Sequence, residues 1–106
     1  MDDSSKKILI TGAGGFVGSA IYSKFLDKNW NICRLGRDGD SNVFCDFSKP
    51  LDIINLNLPF KKYDLCVHVA AANEVICQKN SVSAYNINCC GTHALVELCK
   101  KYEVKK

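Results

Sequence analysis

The sequence is poor in the features that mark secreted, membrane or nucleic-acid-binding chains. No apolar run approaches the ~20 residues that cross a bilayer. The opening Met1-Asp2-Asp3-Ser4-Ser5 lacks the basic start and apolar centre of a secretory signal. Both absences predict a cytoplasmic protein with no membrane partner. Only two arginines occur among the 14 basic residues, and no aromatic-rich basic stripe accompanies the lysines. The net charge of +3 therefore reads as a solvated surface, not as a nucleic-acid-binding face.

Cysteine is the exception, with seven in 106 residues, yet the pattern of a disulfide framework or zinc site is missing. The count is odd and no Cys-x-x-Cys pair exists, while Cys33, Cys45, Cys66, Cys89 and Cys99 sit inside apolar runs. A reduced protein using cysteine as a small core residue is expected. Cys89 and Cys90 with His93 offer a redox or metal alternative, but adjacent side chains on a helix diverge, and no metal site is predicted. A chain of 106 residues suffices for one small domain, too few for a ligand-binding domain plus a substrate domain. Residues 1–106 are expected to form one incomplete domain.

What is present is a loop reading TGAGGFVG, from Thr11 to Gly18. It follows the uninterrupted apolar run Ile8-Leu9-Ile10, which suits a strand buried on both faces of a parallel sheet. Gly12, Gly15 and Gly18 are three apart. The first lets the chain turn, the second lets the backbone touch a diphosphate, and the third lets the following helix lie close to the strand. Backbone N–H groups and the dipole at that helix start attract phosphate. The lysine that would grip terminal phosphates in a phosphate loop is absent, because no Gly is followed five positions later by Gly-Lys-Ser/Thr. A dinucleotide is the expected ligand, against the alternative of a purely structural turn.

Periodicity places strands at residues 7–11, 31–35, 43–45 and 64–71, the last as a central parallel strand. A first helix is expected over 16–28, with Val17, Ala20, Ile21, Lys24, Phe25 and Lys28 on one stripe, the lysine stems lying along it and their charges reaching water, and with Asn29 as its left-handed stop. Residues 51–62 support a short helix at most. A long helix over 81–102, capped by Asn80 or Ser81, places Val82, Tyr85, Cys89, Leu95, Val96, Leu98 and Cys99 at apolar positions. Gly91 inside that helix predicts a close contact or a kink. Strands separated by helices, with no tight hairpin signal, give an α/β fold: a doubly wound parallel sheet of about four strands, Rossmann-like, with its ligand at the strands' carboxyl ends.

The loop Thr11-Gly12-x-x-Gly15-Phe16-Val17-Gly18 resembles the cofactor loop of the extended short-chain dehydrogenase/reductases, a family that includes nucleotide-sugar epimerases and dehydratases. His68-Val69-Ala70-Ala71 and Asn88-Cys89-Cys90-Gly91-Thr92 resemble that family's later motifs and extend the likeness over residues 7–106. The resemblance implies cofactor contacts at Gly12, Gly15, Phe16, Val17 and Gly18. Small residues at Ala70, Ala71 and Ala72 would let the cofactor approach, and Asn88 would lie near it. It implies that Asp46, followed by Phe47, meets the adenine amino group.

Members that prefer NAD carry an acid in the position matching Gly36. Here Gly36-Arg37 implies NADP in preference to NAD, through pairing of Arg37 with a 2′-phosphate. Asp38 and Asp40 keep NAD open. His68 reads as a buried, hydrogen-bonded histidine. The family's catalytic Tyr-x-x-x-Lys is matched only by Tyr102 to Lys106, where no following helix would hold the lysine, so no catalytic residue is assigned and the chain alone is expected to be inactive. The resemblance further implies a nucleotide-sugar-like substrate for the full-length parent and a homodimer through the 81–102 helix. A non-catalytic dinucleotide-binding or sensing module is the competing reading.

Overall fold

The computed structural model describes residues 5–37, 41–69, 82 and 85–106. Strand β1 (Lys7–Thr11) leads through the glycine loop into helix α1 (Phe16–Asp27), which is followed by β2 (Asn31–Gly36) and β3 (Val43–Phe44). Helix α2 (Pro50–Ile54) and β4 (Leu65–His68) come next, then a π-helical turn (Asn86–Cys90) running directly into α3 (Gly91–Lys101). The four strands form one parallel sheet in the order β3-β2-β1-β4. In register, Ile8 lies between Ile32 and Leu65, and Thr11 between Leu35 and His68.

Local chemistry accounts for these elements. Ile8, Leu9 and Ile10 are fully buried, as a strand with neighbours on both sides and layers on both faces requires. Helix α1 stops at Asn29, whose φ of 62° is the left-handed conformation that asparagine tolerates. Pro50 opens α2 at a position where its missing N–H costs nothing. The main core lies on the α2/α3 side of the sheet, where Leu9, Cys33 and Leu35 pack with Ile53, Tyr63, Leu95 and Leu98.

Several expectations are corrected. Among the described residues strand β4 pairs with β1 alone in the sheet. Its outer side receives the carboxyl-terminal tail: the Cys66 N–H donates to the Lys106 carbonyl (2.6 Å) and the Lys105 N–H to that of Tyr63 (3.2 Å). On α1, Gly18 is the buried residue, while Val17 is 57% exposed and Ala20 is exposed, leaving Ile21 and Phe25 of the expected stripe partly covered; Lys24 and Lys28 are exposed, in keeping with charges that reach water.

The helix before Gly91 also turns a different face inward. Leu95 and Leu98 are buried, but Val82, Tyr85, Val96 and Cys89 are exposed. A π-helical turn holds more residues than an α-turn and rotates the residues before it out of phase with those after it. The break that Gly91 predicts is therefore real, and it explains the exposure of Val82, Tyr85 and Cys89. Cys33 and Cys45 are buried free thiols, and burial pushes the first up to about 11 and the second to about 12. No described cysteine is in a disulfide, and no described cluster of three His, Cys, Asp or Glu could hold a metal. No described helix is long and apolar enough to cross a membrane.

Candidate functional site

Parallel strands align their carboxyl ends, so the segments after β1, β2 and β3 reach the same rim of the sheet: the glycine loop, Arg37 and Asp46. The three glycines meet three different demands there. Gly12 has φ of 72°, a conformation that side chains disfavour, and its carbonyl accepts the Gly15 N–H at 3.1 Å. A Cβ on Gly18 would lie 1.9 Å from the Gly12 oxygen and 2.9 Å from the Ala13 Cα, so the helix is held against the loop's own backbone, nearer than the strand the sequence suggested. Among the described residues, a Cβ on Gly15 would meet nothing closer than the Gly12 oxygen at 3.6 Å, an ordinary contact. The polypeptide has no need of a glycine there.

Gly15 is exposed and occupies the N-cap of α1 without a side-chain cap bond. A serine or aspartate at that position would satisfy the first helical N–H groups. Without one, these donors and the positive end of a 12-residue helix face outward beside an empty Cβ position. Phe16 is 94% exposed, and with Val17 it flanks this opening.

Behind the loop lies a polar cluster that the sequence did not disclose. Thr11 is completely buried, and its Oγ1 lies 2.6 Å from His68 Nδ1 and accepts the Val69 N–H at 3.0 Å. His68 Nε2 lies 2.9 Å from Thr92 Oγ1 in the first turn of α3, and Phe47 packs against the imidazole at 5.2 Å between ring centres. Burial pushes the His68 pKa below its usual value. The reading of His68 as a hydrogen-bonded residue holds, although it is half-buried and not fully enclosed. Its threonine partners were missed because they are 57 and 24 residues away, although each belongs to a motif the sequence does display.

On the other flank, Asp46 Oδ1 accepts from the Ser48 N–H at 2.9 Å and the Ser48 hydroxyl at 2.6 Å, making the turn that closes β3. These bonds, helped by the charges of Arg37 and Lys49, hold its carboxyl below the usual pKa. The turn uses one carboxylate oxygen of two. Phe47 is 7% exposed and belongs to the core, so its ring supports His68 and is not presented at the surface. Arg37 and Asn88 are exposed. A Cβ on Gly36 would lie 2.8 Å from Ser41 Oγ, so a hydroxyl stands where an acidic side chain would begin. Ala70, Ala71, Ala72, Asp38, Asp40, Asn80 and Ser81 lie outside the described residues.

Tyr102 is not placed as part of a proton-transfer pair. Its hydroxyl accepts the Leu58 N–H at 2.8 Å, and its ring packs edge-on to Tyr63. A broad hollow of about 950 Å³ lies at the opposite end of the strands, around Lys7, Lys62, Tyr63 and Lys105. Of its lysines, Lys62 pairs with Glu103 and Lys105 with Asp64.

The family model for the NAD dependent epimerase/dehydratase family matches residues 8–106. Among curated proteins, a dTDP-D-glucose 4,6-dehydratase of Dictyostelium discoideum is 34% identical over 95% of this chain and 27% of its own length. A dTDP-glucose 4,6-dehydratase of Salmonella typhimurium is 31% identical over 91% of this chain and 31% of its own. The chain thus spans about a third or less of these two relatives. A UDP-glucose 4-epimerase of Thermus thermophilus, solved in complex with NAD, superposes with a TM-score of 0.73 at 22% identity, covering 92% of this chain and 34% of that one. The UDP-Glc/GlcNAc 4-epimerase of Campylobacter jejuni gives a TM-score of 0.75 at 28% identity, over 93% and 35%.

Proposed function

The chain belongs to the NAD dependent epimerase/dehydratase family, and on that premise we propose that it binds a dinucleotide through the rim formed by the glycine loop, Arg37 and Asp46. The observation that carries this reading is Gly15. It is a glycine that its own fold does not require, at an uncapped and exposed helix start. Its missing side chain makes sense if a pyrophosphate lies there, accepting from the N–H groups that begin α1. The Asp46 oxygen that the turn does not use is available for the adenine amino group.

NADP is the preferred dinucleotide on this reading. Gly36 supplies no acid to receive the ribose hydroxyls, and the exposed guanidinium of Arg37 follows directly. The group supplies hydride transfer when bound, and the relatives' names point to a nucleotide-linked sugar as substrate of a full-length protein. The binding role does not carry turnover with it. The single Tyr-x-x-x-Lys match runs through Tyr102, whose hydroxyl is committed to the Leu58 backbone, and this favours binding without catalysis by these 106 residues. Exposed Val82, Tyr85 and Val96 along the last helix are the apolar surface through which a homodimer would form.

Titration calorimetry with NADP and NAD tests the reading, with Gly15→Ala as the decisive variant. The added methyl group fits the fold but not a phosphate at van der Waals distance, so the variant should keep its unfolding midpoint and lose at least about tenfold in affinity. Unchanged affinity in a folded Gly15→Ala chain would exclude the glycine loop as the site. A purified chain that turns over nucleotide sugars would refute the binding-only role.

A further inference from the structure

We infer that His68 is a positioning residue for the glycine loop, with its two ring nitrogens doing separate work: Nδ1 sets the turn at Thr11 and Gly12, and Nε2 holds α3. The inference rests on the dinucleotide reading above for its functional consequence. One imidazole touches the three segments that border the rim. It reaches the end of β1 through Thr11, the end of β3 through Phe47, and the first turn of α3 through Thr92. Thr11 is the last residue before the positive-φ Gly12. Its side chain is fully buried, so its hydrogen bonds bear on where the loop starts.

The proton order follows from the partners. A helical threonine hydroxyl can donate to the carbonyl four residues back, and with Thr92 engaged in that way its Oγ1 would accept. Nε2 is then the protonated nitrogen and donates to Thr92 at 2.9 Å. Nδ1 carries the lone pair and accepts the Thr11 hydroxyl proton at 2.6 Å, while the same Thr11 oxygen accepts the Val69 N–H. A neutral imidazole offers one donor and one acceptor, and both are used. Removing the acceptor takes away one partner of the Thr11 hydroxyl and shifts the start of the loop at the Gly12 peptide. Removing the donor loosens α3 and leaves the loop in place.

Two substitutions separate the roles. Asparagine places its carbonyl oxygen near the Nδ1 position, and glutamine places its amide near Nε2. His68→Asn should bind NADP within about twofold of the parent, and His68→Gln about tenfold more weakly, the scale of one lost buried hydrogen bond. Both should lower the unfolding midpoint. A merely structural histidine would give affinities that track the midpoints, and that result would defeat the assignment.

Two readouts need no ligand. Imidazole ¹⁵N shifts should show a neutral ring protonated at Nε2, and a ring protonated at Nδ1 would overturn the proton order. Exchange of the Gly15 amide, bonded to the Gly12 carbonyl at 3.1 Å, should accelerate in His68→Gln and not in His68→Asn. If the parent binds no dinucleotide, the function proposed above fails, and the exchange pattern still decides for or against His68.

Discussion

The two helices that follow glycines, α1 after Gly15 and α3 from Gly91, are held to the sheet in opposite ways. Helix α3 is anchored by side chains: Ala94, Leu95 and Leu98 are buried against Leu9, Cys33 and Tyr63. Helix α1 buries only Gly18 completely, while Phe16, Val17 and Leu26 are more than half exposed. It is held by backbone, through the close approach of Gly18 to the Gly12 carbonyl. One side of the sheet therefore carries the packing energy and the other the candidate site. The helix start proposed to meet the dinucleotide carries no side chain at its N-cap, and the anchoring of the helix falls to a second glycine.

The comparison breaks first at Leu98. Leu98→Ala empties a fully buried position and should cost about 2–5 kcal/mol of stability, measured by urea unfolding. Dinucleotide affinity of the folded fraction should not change, and a parallel loss of affinity would show that the two sides are not separate.

Arg37→Ala acts on the other side alone. It should weaken NADP by roughly 1.5–3 kcal/mol, the scale of a charge-assisted hydrogen bond, and leave NAD nearly unchanged. Equal affinity of the parent for both dinucleotides would remove the basis for the preference.

Gly18→Ala sharpens the contrast, because its Cβ meets backbone and no side chain can yield. An overpacking cost of about 1–3 kcal/mol is expected, together with loss of NADP binding at temperatures where circular dichroism still reports a folded chain. Retained binding would mean that α1 can shift without disturbing the loop.

The smallest effect is acid sensitivity at His68. Burial lowers its folded pKa, whereas the unfolded chain has the ordinary value of about 6.5. This contribution to stability is complete above the unfolded value and is lost as pH falls through the lowered folded one. Thermal unfolding measured between pH 7 and pH 5 should show a steeper acid loss in the parent than in His68→Asn. Identical slopes would assign the loss to other groups.

Reading the residues alone located strand β1, the glycine turn, α1 and its stop at Asn29, because each depends on what a few neighbouring residues permit: a buried apolar run, a positive φ at Gly12, a left-handed asparagine. The parallel, doubly wound sheet was legible in the alternation of strands and helices. Features that depend on residues distant in sequence were not. The order β3-β2-β1-β4 is a matter of which strands pair, and local periodicity does not encode it. The exposure of Val82, Tyr85 and Cys89 was decided by one π-helical turn, which shifts the phase of a pattern without altering its composition. Thr11, His68 and Thr92 were each visible as members of motifs. That they share one imidazole was settled only when the sheet brought Thr11 beside His68 in register and α3 packed across them, since hydrogen bonds between side chains leave no period in the sequence.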